Sequence, residues 1–305
     1  MNIVYFGNNR RGVICLETLY KADFNIAAVV IHHGAPDEDK ASSVHHLAKK
    51  LSLPVYDPKD VNGSKFLAKL REIEPGLMVL SGYNPILKKE ILEIPAKGTI
   101  NLHGGRLPYY RGGSPINWQI INGETIGGCA VFYVDEGIDT GDIIAQETYG
   151  IGPDEKAGEV IEKTLKIFPR LLTTAVRQIE EDRVTAIKQD HLIATYYHKR
   201  YPEDGRIDWS NMSAFQVHNL VRALNGPPLS GAFTFLRGEK IVIWETKLLE
   251  KYFKGVPGRI VLKEDDGVIV IAADHGILLT KIEIEHEPKI IQAKAFLKIG
   301  GYTFE

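Results

Sequence analysis

At 305 residues, 44% hydrophobic and 25% charged, the chain has the composition of a globular protein with room for one large or two ordinary cores. A formal net charge of −2 leaves no global basic field to hold nucleic acid, and no apolar run approaches the ~20 residues of a membrane helix. The opening MNIVYFGNNRRG lacks a signal-peptide pattern, and Cys15 and Cys129 share no CxxC spacing, so two reduced core thiols, no membrane insertion and a cytoplasmic location are expected.

Residues 1–6 (MNIVYF) predict a short apolar strand, followed by the turn GNNRRG and a helix over VICLETLYKA. Strand, glycine turn and helix open a nucleotide-binding type of α/β domain. After Gly7 the next glycine is Gly12, so the turn is not a dinucleotide fingerprint. Residues 26–31 (IAAVVI) predict a second buried strand, and 32–43 a solvated loop. His32, His33, His45 and His46 do not make a metal site: adjacent histidines cannot converge on one ion, and no carboxylate or cysteine has ligand spacing. A helix over 44–51 follows, with Ser43 as its cap, then a brief strand at 54–56 and a helix over 63–73. The continuous apolar run 77–80 (LMVL) fits a parallel strand covered on both faces. It ends in Ser81-Gly82-Tyr83-Asn84-Pro85, at the strand end where open α/β sheets bind ligands.

A helix over 87–92 leads to residues 98–115, GTINLHGGRLPYYRGGSP, which begin as a strand and end as a glycine-rich loop. Asn101 and His103 lie two apart on the strand part and share a face. An amide donor beside an imidazole can steady an oxyanion and accept a proton, the requirements of acyl transfer. Taken singly, each has an ordinary structural explanation: a strand Asn caps backbone, and a strand His is a satisfied core residue. Beyond the loop, 117–122 predicts a helix and 128–134 and 143–149 two strands. Between those strands lies DEGIDTGD (135–142), an acidic, glycine-punctuated turn and the second candidate for site chemistry. A long amphipathic helix over 156–181 follows, with Asp154 as a candidate cap.

The alternation argues a Rossmann-like, doubly wound, mostly parallel α/β sheet over 1–190. Residues 191–209 are polar and aromatic and predict a linker; in it Tyr196, Lys199 and Arg200 suit either a pyrophosphate and base or a solvated charged surface. Residues 210–305 hold one short helix (213–224) and then strands at regular spacing, a small β-barrel-like or sandwich domain.

Five ordered motifs resemble the formyltransferases that use 10-formyltetrahydrofolate: Asn101-Leu102-His103-Gly104; Leu107-Pro108 with Arg111-Gly112; Ser114-Pro115; Asn122-Gly123-Glu124; and the run 135–142 with Asp139. The likeness continues through IDW (207–209), VRAL (221–224) and PLSGAFTF (228–235), covering most of the chain. RYPEDGRIDW, NWQIINGE and VYDPKDVNG resemble the sugar-nucleotide N-formyltransferases, such as the formyltransferase domain of the bifunctional aminoarabinose-modifying enzyme, more than the methionyl-tRNA branch. Charge votes the same way: residues 201–305 carry 13 Lys and Arg against 14 Asp and Glu, a balance of −1, where a tRNA-holding domain should be basic.

The resemblance implies that a primary amine attacks the formyl carbon of the folate. Asn101 would steady the oxyanion, His103 would take the proton and Asp139 would orient the imidazole or help move protons. It also implies a folate site from Gly82, Tyr83, Asn84, Pro85, Ile86 and Leu87 with Ile138 and Asp142. Gly104, Gly105, Arg106 and Arg111 would line the amine side, the arginines touching phosphate or sugar or else stitching their loop to a carboxylate, and Tyr196, Lys199 and Arg200 would extend that side. The expected acceptor is a UDP-, dTDP- or similar amino sugar destined for bacterial surface glycans, with no metal and no nucleic acid; a homodimer is compatible with the sequence but not required by it. The rivals are methionyl-tRNA formylation and hydrolysis of the formylfolate.

Overall fold

A computed structural model describes residues 1–34, 43–225, 230–299 and 303–305. Most of the loop expected at 32–43 therefore lies outside the described residues, as do Pro228 and Leu229 of PLSGAFTF. In chain order the elements are β1 (Ile3–Gly7), α1 (Asn9–Lys21), β2 (Ile26–Ile31), α2 (Val44–Lys50), β3 (Val55–Tyr56), α3 (Ser64–Ile73), β4 (Leu77–Ser81), α4 (Lys89–Leu92), β5 (Thr99–His103), β6 (Arg111–Gly112), α5 (Pro115–Ile121), β7 (Ile126–Tyr133), β8 (Ile143–Gly150), α6 (Ala157–Glu180) and β9 (Tyr196–Tyr197). Then come α7 (Ala214–Ala223), β10 (Ala232–Leu236), β11 (Glu239–Lys247), β12 (Ile260–Lys263), β13 (Val268–Ile271), β14 (Gly276–Ile284), β15 (Glu287–Gln292) and α8 (Ala293–Phe296).

Two compact units result, one of residues 1–115, 127–149 and 162–197, the other of 116–126, 150–161 and 198–305. The first is built on a seven-stranded sheet of order β3-β2-β1-β4-β5-β7-β8, parallel from β3 to β5, with β7 antiparallel to β5. All five residues of β1 and of β4 are buried, which accounts for their unbroken apolar runs. Val4 and Phe6, Ala28 and Val30, and Met78 and Leu80 point to one face, where Phe66, Leu70 and Ile91 cover them. Gly12, Cys15, Leu16 and Leu19 form the buried stripe of α1, spaced as one helical face requires. The connection order reverses between β1 and β4, so the crevice at their carboxyl ends is the switch point at which such sheets take ligands.

Ser43 caps α2 as expected, its hydroxyl accepting from the His46 N–H at 3.2 Å. Asp154 does not cap α6. It lies short of that helix, where Glu159 accepts the Lys156 N–H (2.8 Å) and Glu155 that of Gly152 (2.7 Å). The pairing of β6 with β9, two residues each, has no signature in the sequence because runs so short carry no periodicity.

The second unit carries an antiparallel sheet of order β10-β11-β14-β13-β12, with β15 added on β14. Residues 276–279 of β14 pair with β13, whereas 281–284 pair with β15, and register shifts in β11 and β12 bend the sheet. Helix α7, capped by Ser213 in a reciprocal pair with Gln216, buries Val217, Leu220 and Val221 in the core of this unit. Within the stretch 191–209, expected to be a linker, Ile207 and Trp209 are buried in this core. Trp209 stacks on Phe304 at 5.6 Å and donates to the Thr234 hydroxyl at 2.9 Å. Among the described residues no helix is long and apolar enough to cross a membrane.

Candidate active site

The site lies in the first unit, at the carboxyl end of β5. Asn101 sits between Leu80 on β4 and Phe132 on β7, and His103 lies opposite Ala130, so the two side chains leave the strand on one face. The strand ends because the loop folds back over the imidazole. A Cβ on Gly105 would fall 2.5 Å from His103 Nε2 and 2.7 Å from the Tyr110 carbonyl, so only glycine lets the chain pass. His103 is buried, with Phe132 edge-on at 6.3 Å. Its Nε2 is 2.7 Å from the Tyr110 carbonyl and its Nδ1 is 3.4 Å from Asp139 Oδ2.

Asp139 sits in a loop fixed by backbone conformation and hydrogen bonds. Its backbone is left-handed (φ 52°), and its Oδ2 accepts the Gly112 N–H at 2.7 Å. Asp135 Oδ1 gathers the loop by accepting from the Gly137 N–H (3.0 Å) and from the Thr140 hydroxyl. A Cβ on Gly141 would lie 1.7 Å from the Tyr133 carbonyl, which accounts for the second glycine of GIDTGD.

These contacts fix the chemistry of the ring. A carbonyl only accepts, so the Nε2 facing Tyr110 carries hydrogen and donates. The exchangeable position is then Nδ1, and it faces a carboxylate oxygen. His103 Nδ1 and Asp139 Oδ2 thus face each other at 3.4 Å in a buried setting. Beside them, the half-buried Asn101 carboxamide has no hydrogen-bond partner among the described residues.

The other expected residues are placed as follows. Gly82 is left-handed (φ 71°), and a Cβ there would meet the Asn8 carbonyl at 2.7 Å. Tyr83 packs edge-on against Phe6 at 5.3 Å, and burial, helped by Asp57, pushes its hydroxyl up to about 12. Leu87 is buried and Pro85 half-buried, whereas Asn84, Ile86 and Ile138 are exposed. The Asp142 carbonyl accepts from Tyr133 at 2.9 Å. Asn62, which nothing in the sequence singled out, pins this segment by donating to the Ile86 carbonyl (2.9 Å) and accepting from the Lys88 N–H (2.8 Å). Lys89, two residues beyond this segment, faces Glu136 of the Asp139 loop at 3.6 Å, both side chains exposed.

Gly104 is buried at the end of β5, and Arg106 lies over Tyr109 at 5.4 Å with Nε buried. Arg111 is fully buried. Of its two expected roles the structure places it in stitching, but onto an amide rather than a carboxylate: Nε and Nη2 donate to Gln189 Oε1 at 3.1 and 2.7 Å, and Nη1 donates to the Tyr196 hydroxyl at 2.5 Å. Tyr196 is exposed on β9 and engaged by that bond. Lys199 and Arg200 belong to the second unit, where Arg200 lies over Trp118 at 4.9 Å and donates to the Asp204 carbonyl at 2.5 Å. Burial lowers the Arg200 pKa against the opposing pull of Asp204. Among the described residues no group of three His, Cys, Asp or Glu could hold a metal ion.

The family described as Formyl transferase matches residues 1–176, and that described as Formyl transferase, C-terminal domain, matches 199–300. Methionyl-tRNA formyltransferase of Acetivibrio thermocellus is 35% identical over 293 residues, 93% of this chain and 92% of that protein. The bifunctional polymyxin resistance protein ArnA of Wigglesworthia glossinidia brevipalpis is 35% identical over 263 residues, 86% of this chain but 40% of that protein. In fold, the chain is similar to an N-formyltransferase from Helicobacter canadensis solved with folinic acid and dTDP-3-aminofucose, with a TM-score of 0.70 at 20% identity, over 91% of this chain and 98% of that one. The chain is a formyltransferase and belongs to the formyl transferase family.

Proposed function

We propose that the protein transfers the formyl group of 10-formyltetrahydrofolate to the free amine of a nucleotide-linked amino sugar, using Asn101, His103 and Asp139. The observation that carries this reading is the unpartnered Asn101 amide beside the buried His103, which faces Asp139 at 3.4 Å, at one strand end. The amine nitrogen attacks the formyl carbon, and the carbonyl π electrons move onto oxygen. Asn101 Nδ2–H donates to that oxyanion, a contribution worth about 10²- to 10³-fold for one donor. The proton leaving the amine is taken by the neutral ring of His103 at Nδ1, the nitrogen left free when Nε2–H donates to the Tyr110 carbonyl, and Asp139 at 3.4 Å steadies the imidazolium that results. Collapse restores the carbonyl, breaks the bond to the folate N10 and returns a proton to that nitrogen. The segment 82–87 follows the carboxyl end of β4, where open sheets of this kind take ligands, and Asp139 of 135–142 faces His103 at the same end of the adjacent β5; this supports a folate site there.

Charge supports the sugar acceptor. The 13 cations of residues 201–305 face 14 carboxylates, and several are already neutralised: Lys281 by Glu245 at 3.1 Å and Lys247 by Asp266 at 2.8 Å. Phosphates of tRNA need a free basic surface. A second acceptor, methionyl-tRNA, is favoured by the 35% identity to the Acetivibrio enzyme along nearly the whole chain. The test supplies 10-formyltetrahydrofolate with a panel of UDP- and dTDP-amino sugars in one arm and charged initiator tRNA in the other. Formylation of a sugar nucleotide is expected. Formylation of the tRNA with steeply salt-dependent binding, and of no sugar, would overturn the choice of acceptor.

A further inference from the structure

Arg111 carries a full charge with no solvent exposure, and no carboxylate of a described residue lies within ion-pair distance of it. Its partners are Gln189 Oε1, the Tyr196 hydroxyl and, at 3.2 Å, His191 Nδ1. A buried guanidinium is costly unless its donors are met, so this set must be kept intact. Gln189, itself buried, turns its other end to a different loop: Nε2 donates to the carbonyl of Asp139 at 2.9 Å and to that of Gly141 at 2.6 Å. The amide cannot be flipped. Arginine only donates and carbonyls only accept, so the oxygen must face Arg111 and the nitrogen must face the loop. The segment bearing Gln189 is itself docked, through reciprocal 2.8 Å bonds between Ile187 and Ile143, where β8 leaves the Asp139 loop.

We propose that Gln189 is a positioning residue for formyl transfer, latching the backbone of Asp139 to the buried guanidinium of Arg111 and so setting the gap between Asp139 and His103. The proposal rests on the catalytic reading of Asn101, His103 and Asp139 given above. The latch closes a ring. Arg111 precedes Gly112, whose N–H binds Asp139 Oδ2 at 2.7 Å, while Gln189 binds the carbonyl of the same residue. The carboxylate is thus fixed at both its backbone and its side chain from one arginine-glycine pair. Its backbone is left-handed, a conformation that costs a non-glycine residue about 1–3 kcal/mol and persists only where its surroundings over-determine it. Gln189 is one of the groups that do so.

Gln189→Glu separates this role from plain support of Arg111. The carboxylate forms an ion pair with the guanidinium, so burial of Arg111 is preserved, but it cannot donate to the two carbonyls. The expected result is a thermal midpoint above that of Gln189→Met, a kcat lower by about 10- to 100-fold, KM values for folate and acceptor within about 3-fold, and a changed pH profile of kcat. Gln189→Met, which meets neither end, should lose the same turnover and stability besides. In the Asp139→Asn background Gln189→Glu should cost nothing further, because the two act through one contact. Wild-type kcat and pH profile in Gln189→Glu, or full additivity with Asp139→Asn, would overturn the latch while His103→Ala stays inactive. If His103→Ala itself turned over normally, the catalytic reading would fall and the latch with it.

Discussion

The two units each bury a histidine against an aspartate, and the two contacts are almost the same length. His103 Nδ1 is 3.4 Å from Asp139, and His218 Nε2 is 3.3 Å from Asp154. The histidine side chains are 6% and 4% exposed, and each also meets a backbone carbonyl, of Tyr110 at 2.7 Å and of Pro153 at 3.2 Å. The carboxylates differ: Asp139 is 14% exposed and Asp154 83%. Water screens the second pair and not the first, and the attraction between two charges falls severalfold as the surroundings pass from interior to surface. His218 also meets a hydroxyl, that of Thr246 at 2.9 Å, which can donate to it or accept from it. His103 has an unpartnered amide two residues away. The two contacts match in distance and differ in the confinement of the carboxylate and in the free donor beside the histidine, and the catalytic proposal rests on those differences.

The largest effect should come from removing the confined pair. His103→Ala should lower kcat/KM by about 10²- to 10⁴-fold and Asn101→Ala by about 10²- to 10³-fold. Asn101→Ala should leave the thermal midpoint unchanged, since its amide holds no described protein group. His218→Ala should leave turnover at wild-type level in the same assay. Equal losses at His103 and His218 would erase the distinction.

Stability should reverse the ranking. His218→Ala removes a buried ring from between Thr246 and Pro153, leaving both oxygens short of a partner, at a cost of about 2 kcal/mol in chemical denaturation. The pH dependence follows from the same burial. Desolvation lowers the His218 pKa, the Pro153 carbonyl and Asp154 oppose it, and Arg222 adds to it. The unfolded chain therefore binds the proton more readily than the folded one. This contribution to stability is complete above the unfolded pKa of about 6.5 and is lost as pH falls from there toward the folded value. Unfolding free energy measured between pH 8 and 5 should decline through this window, and His218→Gln should flatten the decline. An unchanged slope in the variant would place the responsible proton elsewhere.

Much of this contrast is legible in the sequence, though only for the first histidine. Asn101 and His103 announce themselves because a strand puts alternate residues on one face, and glycines follow where the chain must turn. Asp139 is found as an acid in a glycine-punctuated turn. The pairing of Asp139 with a specific nitrogen is not legible, because the Tyr110 carbonyl that sets the tautomer is a backbone group with no residue signature. Gln189 is invisible for a related reason: a single polar residue after a helix looks like any other until Ile187 docks on Ile143. Arg111 shows the converse. A lone arginine in a glycine-rich loop reads equally as a contact for phosphate or sugar and as a stitch to a carboxylate, and only tertiary packing reveals that it is fully buried on an amide. Residues 191–209 read as a linker because they are polar on average; Ile207 and Trp209 are too few to register as a core segment, yet they are buried in one.

The smallest effect, that at Asp154, tests confinement when set against the same change at Asp139. Asp139→Asn and Asp154→Asn are the same chemical change next to the same kind of ring. Asparagine at 139 can still accept from Gly112, but it has no charge to steady the His103 imidazolium, so kcat should fall by about 10²-fold or more. At position 154 the lost charge is mostly in water, and an exposed ion pair contributes about 0–1 kcal/mol. Asp154 opposes the lowering of the His218 pKa, so removing it should carry the acid-side loss of stability to slightly lower pH. That shift should disappear at 1 M salt, where the Debye length is about 3 Å, whereas the loss of turnover in Asp139→Asn should persist because its partner is out of reach of the ions. A salt-independent shift at Asp154 would mean that its carboxylate is as confined as that of Asp139, and exposure would no longer separate the two sites.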